Sequence, residues 1–383
     1  MESLKSRNLI RLSKSTIGDA EKKAVAGVLD REYLGMGAEV QRFEQNLTDF
    51  FGRPAVCVVN GTAALHLALQ ACNIGHVDEV LVQSLTYVAS FQAISATGAT
   101  PIACDVDPKT LTLNLHDAEK RITSRTKAVM PMHYGGGVGE LDEIYKFAQK
   151  YRLRVIEDAA HAFGTMYNDK RVGSFGDIAC FSFDGIKNIT SGEGGCIVTK
   201  DQKIIEKIQD TRLLGVERDT SRRFAGERSW DFEVSNQGWR YHMSNIMAAI
   251  GIEQLARFEV VSKKRQLLAN TYSYLLRDFE ELSLIEHDYN DVVPHIFVVK
   301  LSNSLSREVI RKELLAHGIE TGIHYKPAHL LKIYKNQESV DLVETNSIYR
   351  NLLTLPLHID MSIEDVEYVV DKLKNIISNY FEH

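Results

Sequence analysis

Apolar positions along the chain switch between two periods. Over residues 17–29, Ala20, Ala24 and Val28 recur every fourth position, which predicts a helix with one buried face. Gly35 and Gly37 break it. A second helix is predicted over 39–51, with Val40, Phe43, Leu47 and Phe51 on one stripe. At 56–59 the pattern becomes an unbroken apolar run, VCVV, the mark of a short buried strand. Asn60-Gly61-Thr62 follows, and then a strongly helical stretch, AALHLALQAC. The alternation repeats. EVLVQS predicts a strand and LTYVASFQAISATGA opens a helix. PIACDVD, AVMPMHY and RVIEDA predict three more strands, with helices at 115–122 and 141–151 between them. IACFSF and CIVT are further strand-like runs, and 203–214 predicts a helix. Strands alternating with helices predict an α/β fold, with a mostly parallel sheet covered on both faces.

The pattern then changes. Residues 215–238 are polar and irregular around RDTSRRFAGERSW. A loop of that length is a functional segment or a solvated charged one. Its arginines suit an anionic substrate on the first reading and plain solvent on the second. YHMSNIMAAIGIEQLARFEVVSKKRQLLANTYSYLL predicts one long helix or a kinked pair, leading into a smaller unit. There HIFVVKL predicts a strand and SREVIRKELLAHG a helix capped by Gly318. IETGIHYKPAH follows, and SIEDVEYVVDKLKNIISNYF closes the chain as a helix. The expected division is a large domain over 1–245, then a linking helix and small C-terminal α/β domain over 246–383.

Composition narrows the class. A chain of 383 residues is enough for about two or three domains. Its net charge of -6 and the lack of any basic run disfavour a nucleic-acid partner. No run of about 18 apolar residues predicts a membrane span. The opening stretch MESLKSRNLIRLSKST has no apolar signal core. The five cysteines are scattered and form no CxxC pair, so neither zinc nor a disulfide framework is expected. Cytoplasm is the expected compartment.

The densest chemistry lies in VIEDAAHAFGTMYNDKRVGSFGDIACFSFDGIKNITSGEGGCIVT, residues 155–199. Asp158, Ser182 and Lys187 fall at or just beyond strand ends, where open α/β sheets bind ligands. A carboxylate, a hydroxyl and an amine together suit pyridoxal 5'-phosphate. That cofactor needs a lysine amine for its aldehyde, an acid for its ring nitrogen and donors for its phosphate. The Asn60-Gly61-Thr62 turn offers free N–H groups and a helix dipole to a phosphate, or is an ordinary helix cap. Tyr87, just past a strand end, is a core aromatic or a cofactor contact. His133, at another strand end, is a satisfied structural histidine or a site residue.

The linked motifs EDAAH, GSFGD, FSFDGIKN and GEGG, in that order, resemble the DegT/DnrJ/EryC1/StrS sugar aminotransferases. The resemblance runs from LGMGAEVQRFE to LPLHIDMSIEDVEYVVDKL, nearly the whole chain. It implies the aspartate aminotransferase fold, a seven-stranded type of sheet, and a homodimer with shared active sites. It implies amination of a nucleotide-linked 4-keto-6-deoxy sugar, with L-glutamate as donor, for a surface polysaccharide or glycan. The alternatives are amination at C3, a keto-cyclitol substrate, or a non-catalytic regulator that kept the fold.

By the same resemblance, Lys187 is the catalytic amine, Asp158 keeps the ring nitrogen protonated, and His161 lies near the ring hydroxyl. Gly61, Thr62 and Ser182 hold the phosphate, and Tyr87 stacks on the ring. His324 and Tyr325 are candidate substrate residues, with His133 and Asp184. A dehydratase branch carries histidine in place of the lysine, and Lys187 argues against it. Two departures stand out. The motif GYNYR, which reaches a neighbouring subunit's phosphate, is here GWRYH, with Arg240 for the Asn and His242 for the Arg. Arg240 retains a bidentate phosphate donor for that role. SFH is here SFD, which puts Asp184 where histidine is expected.

Overall fold

The structure is a computed structural model that describes residues 9–227, 231–335 and 341–380. Seven strands form the main sheet: β1 (Ala55–Val58), β2 (Glu79–Gln83), β3 (Thr100–Cys104), β4 (Thr126–Met130), β5 (Arg154–Asp158) and, beyond a small hairpin of β6 (Met166–Tyr167) and β7 (Lys170–Arg171), β8 (Ile178–Ser182) and β9 (Gly195–Thr199). Their order is β1-β9-β8-β5-β4-β2-β3. Only β9 runs antiparallel to its neighbours.

Successive side chains on a strand point to opposite faces. Cys57, Leu81, Val129, Val155 and Ala179 therefore enter one core. Val56, Val58, Val80, Val82, Ala128, Ile156 and Ile178 enter the other. Both cores are closed by helices, which is why these strands read as unbroken apolar runs. The helix Gly61–Ala71 buries nearly every side chain from Ala63 to Leu69, so its sequence is apolar all round. Each buried leucine there contributes about 1.5–3 kcal/mol by area. The cysteines Cys57, Cys104, Cys180 and Cys196 are buried core residues, as their apolar neighbours predict.

Parts of the sequence reading need adjustment. The first helix spans Asp19–Asp30, and Val28 is buried, but Ala20 is exposed. The stretch 215–238 is not wholly irregular: it holds the short helix Asp219–Phe224. Arg223 there pairs with Asp219 at 2.6 Å, an i,i+4 contact that helical spacing provides. Arg228 of the same stretch lies outside the described residues. The predicted long helix is a pair, Asn245–Ala256 and Phe258–Leu276, broken at Arg257. The Arg257 guanidinium is 2.9 Å from Glu21, so the break coincides with a tie to the first helix.

The C-terminal part has its own sheet, β10 (Leu282–Leu284), β11 (Phe297–Leu301) and β12 (Leu352–Leu355), antiparallel throughout. The helices Phe258–Leu276, Arg307–Ala316 and Ile363–Tyr380 share a core with it. Between β11 and β12 the chain returns to the rim of the main sheet. Ser84 Oγ lies 2.6 Å from His329 Nδ1. The Asp105 carboxylate accepts the N–H groups of Glu344 and Thr345 at 2.9 and 2.7 Å. Among the described residues no helix is long and apolar enough to cross a membrane.

Candidate functional site

A cavity of about 430 Å³ opens at the carboxyl ends of the main strands. Asp158, the last residue of β5, reaches it. Ser90 donates to its Oδ2 at 2.6 Å, and the N–H of Ala160 donates to Oδ1 at 3.3 Å. Burial raises the Asp158 carboxyl above its usual range, while these donors and Lys187 pull the other way. A buried acid in that balance suits a cationic partner such as a protonated ring nitrogen.

Lys187 is half-buried in the same cavity. Burial lowers its amine to about 8, against the raising influence of Asp158 and Asp184. A neutral amine is therefore accessible near neutral pH, as amine nucleophiles and bases require.

The third part is an anion cradle. The helix Gly61–Ala71 starts at the cavity wall, and the Asn60 side chain caps it by accepting from Ala63 N–H at 2.8 Å. Gly61 and Thr62 thus keep first-turn N–H groups for a ligand. Ser182, the last residue of β8, faces them. A Cβ on Gly61 would lie 2.8 Å from Ser182 Cβ, so only glycine lets this helix start approach the hydroxyl. Gly195, opposite Ser182 in the ladder, is equally constrained, because a Cβ there would lie 2.6 Å from the Asn60 carbonyl oxygen. Amine, acid and cradle fit pyridoxal phosphate: each of its polar groups has a matching partner here.

Other expected residues divide. Tyr87 lines the cavity, is 58% exposed, and stands 5.6 Å from the Tyr325 ring, so it is not a core aromatic. His161 is buried, accepts the Gly135 N–H on Nδ1 at 3.3 Å, and sits 2.9 Å from Tyr325 Oη through Nε2. Burial and the neighbouring Lys187 hold it well below the usual histidine value, so the ring is neutral. His324 and Asp184 also line the cavity. His324 Nδ1 is 2.8 Å from Thr354 Oγ1. Asp184 accepts the Ile186 N–H at 3.3 Å, which shapes the turn leading to Lys187.

His133 does not line the cavity. It is fully buried with Nε2 2.7 Å from Glu157, which also accepts from Tyr145. Its Nδ1 is buried without a partner among the described residues, so the ring is held through Nε2 alone. Arg240 is exposed and also lies outside the cavity wall of this chain.

Two cavity residues, and a third that bonds Asp158 without lining the cavity, escape sequence reasoning. Ser90 is one turn into an apolar helix and carries no motif. Glu193 sits inside GEGG, where the glycines draw attention first. His295 opens the run HIFVVKL and reads as the edge of a strand. Its Nε2 is 3.4 Å from Lys187 Nζ.

The sequence signature of the DegT/DnrJ/EryC1/StrS aminotransferase family matches residues 15–374. The chain is similar to the spore coat polysaccharide biosynthesis protein SpsC of Bacillus subtilis, at 34% identity over 383 residues, covering 97% of this chain and 98% of SpsC. Its structure is similar to the PMP-form of a putative sugar aminotransferase from Streptococcus pneumoniae, with TM-score 0.91 and 28% identity, covering 98% and 99% of the two chains. It is also similar to Helicobacter pylori PseC, an aminotransferase involved in pseudoaminic acid biosynthesis, with TM-score 0.89 and 26% identity over 97% and 100%. A lysine amine, a buried acid and a helix-start cradle at one sheet rim, within a match spanning almost the entire chain, place it: the protein belongs to the DegT/DnrJ/EryC1/StrS family and is a pyridoxal-phosphate-dependent aminotransferase.

Proposed function

We propose that the protein aminates a nucleotide-linked 4-keto-6-deoxy sugar, with L-glutamate as donor, for a surface polysaccharide or glycan. The observation that carries the sugar reading is the set of polar side chains that share the cavity with the cofactor residues. His324, Tyr325, Asp184 and Glu193 line the same cavity and offer imidazole, hydroxyl and carboxylate groups to a polyhydroxylated ligand. SpsC and PseC, both similar along their whole length, carry polysaccharide and sugar biosynthesis in their descriptions. The same reading puts the enzyme in the cytoplasm. It divides the chain into a cofactor-binding unit over 1–245 and a linking helix with a smaller unit over 246–383.

Bound pyridoxal phosphate supplies an aldehyde that carries the amino group and a ring that withdraws electrons from the reacting carbon. The chain supplies the rest. Gly61, Thr62 and Ser182 hold the phosphate. Asp158 pairs with the protonated ring nitrogen. Tyr87 would stack on the ring, and His161, neutral and fixed by Gly135 and Tyr325, would lie near the ring hydroxyl. Lys187 Nζ would hold the aldehyde and, once free, would move a proton at the donor's α-carbon. An amine near 8 suits both halves of that exchange, since it neither holds the proton permanently nor refuses it.

The proposal includes a homodimer with shared sites. Arg240 is exposed and lies outside its own cavity wall, which suits a donor to the partner's phosphate. The test is a two-stage mixing experiment on the loaded enzyme. L-Glutamate should bleach the cofactor's visible band, and a nucleotide-linked 4-keto-6-deoxy sugar should restore it. Bleaching that only 3-keto sugars or keto-cyclitols reverse would overturn the choice of substrate. No bleaching with any amino donor would favour the non-catalytic alternative.

A further inference from the structure

Lys187 meets an imidazole that no motif announces. His295 stands two residues before β11, in a loop from the C-terminal part, and lines the cavity. We infer that His295 is a positioning residue for amino transfer: its neutral imidazole accepts a hydrogen from Lys187 Nζ and seats that amine where it exchanges protons. The inference rests on Lys187 being the reacting amine.

The contact is 3.4 Å between Nε2 and Nζ. That is long for a hydrogen bond, as contacts of reacting groups often are before a substrate tightens them. What makes it more than proximity is the rigidity behind the ring. The His295 N–H donates to the Gly135 carbonyl at 3.0 Å. The same Gly135 donates its own N–H to His161 Nδ1, so one residue sets the height of both imidazoles. Their rings lie 4.4 Å apart. On the other side, the His295 carbonyl accepts from Arg265 Nη1 at 3.2 Å. Arg265 is buried, makes no ion pair among the described residues, and also reaches the carbonyls of Pro294 and Leu357 at 3.3 and 3.5 Å. A buried guanidinium without a carboxylate is costly. Here it is spent on the backbone that carries His295. Asn188, the residue after Lys187, donates to the Val293 carbonyl at 3.1 Å. The loop bearing the imidazole and the turn bearing the amine are thus tied to each other.

The direction of the hydrogen follows from the surroundings. Lys187 is faced by Asp158 from β5, Asp184 from the turn after β8, His161, His324 and His295, with Arg265 behind. Burial, with Lys187 next to it, holds His295 well below the ordinary histidine value, whereas Lys187 is near 8. The proton therefore stays with the lysine, and His295 acts as an acceptor of a hydrogen bond rather than as a base. A lysine in its charged form has only donors to offer, so Nε2 must be the accepting nitrogen and the ring hydrogen sits on Nδ1. Nδ1 is buried and has no partner among the described residues. An orphaned buried donor is unfavourable. The ring keeps this tautomer for what it does at Nε2.

The test uses the full-length enzyme with His295→Gln, whose amide reaches the place of Nε2, and His295→Phe, which has no acceptor. In His295→Phe, kcat should fall about 10- to 100-fold, the range expected when a reacting group loses its placement. KM for donor and sugar should stay unchanged. His295→Gln should keep kcat within a few-fold of wild type. A second readout needs no cofactor. The pH dependence of Lys187 acylation in the apoprotein, read by peptide mass spectrometry, should have its midpoint near 8 in wild type and His295→Gln. It should move lower in His295→Phe, whose ammonium has lost an acceptor. If His295→Phe does not fold, His295→Asn replaces it, since the shorter amide reaches only the place of Nδ1 and should lose kcat alike. Wild-type kcat and an unmoved midpoint in the variant lacking the acceptor would overturn the inference. Equal losses in His295→Gln would also overturn it, by making the ring a packing element. Activity remaining in Lys187→Ala would instead overturn the assignment of the reacting amine.

Discussion

Gly61→Ala isolates the phosphate cradle from the rest of the site. The added methyl would sit 2.8 Å from Ser182 Cβ and 3.2 Å from Ser182 Oγ. Carbon atoms in contact settle near 3.6 Å, so helix start and strand end must part by about 0.8 Å. A phosphate held by both at about 2.9 Å cannot follow both, and one donor then falls beyond hydrogen-bond range. Losing one hydrogen bond to a charged group costs about 1.5–3 kcal/mol. That is about a 10- to 150-fold weaker cofactor complex. Alanine is the better helix former, so the fold should not suffer from backbone propensity. The assay is a fluorescence titration of apoenzyme with pyridoxal phosphate and, in parallel, with pyridoxal. Affinity for the phosphorylated form should drop while that for pyridoxal changes little. The reasoning is refuted if pyridoxal phosphate binds Gly61→Ala within about twofold of wild type, or if both ligands weaken equally.

Lys187→Ala should abolish amino transfer, and borohydride should fix the cofactor on Lys187 of wild type; an adduct mapped to another lysine would reassign the amine. Asp158→Asn should retain cofactor but lose most turnover, because an amide does not hold a ring proton as a carboxylate does; near-normal kcat would make the acid structural. Lys187 should titrate near pH 8 rather than near 10.5 in the apoprotein. The folded chain then binds fewer protons than the unfolded one between those values, so this group's contribution to stability increases with pH across that window, and a flat or falling difference between Lys187→Met and wild type would contradict it. Arg240→Ala should release cofactor more readily, and mixing it with Lys187→Ala should regain activity, since one site of each mixed dimer has both residues; proven subunit exchange without recovery would exclude the shared site.

The parallel sheet was legible because its strands are buried on both faces and so appear as apolar runs. Cys57 and Val58 send adjacent side chains to different cores, yet both read as apolar. The grouping of Asp158, Ser182 and Lys187 in one cavity was legible too, since they lie within one segment at or just beyond strand ends. What escaped was set by distance in sequence. His295 follows Lys187 by 108 positions and is brought back by backbone hydrogen bonds that leave no residue signature. Ser90 reaches Asp158 across 68 positions from a helix whose pattern signals only packing. His133 marks the opposite case. Its place at a strand end suggested chemistry, but the structure buries it against Glu157, outside the cavity lining. Arg257 shows why the long helix could not be settled: the break follows from a tertiary pair with Glu21, not from a glycine or proline.

The return of the C-terminal chain to the main-sheet rim has a consequence for how such an enzyme changes over generations. One wall of the cavity, from Asn60 to Lys187, is contributed by residues that any pyridoxal phosphate chemistry requires. The facing wall, His324 and Tyr325, arrives on a separate stretch pinned at a few points: Tyr134 to the His324 carbonyl, Ser84 to His329, and Asp105 to Thr345. Among the described residues between those pins there is no strand, only a short turn at Ala328–Leu330 and a helix start at Val343. If the proposed sugar wall is right, substitutions there should reshape it while Asp158, Ser182 and Lys187 keep their register. A library meant to redirect acceptor choice is best confined to the span between β11 and β12, with Ser84, Asp105 and Tyr134 left alone as its moorings.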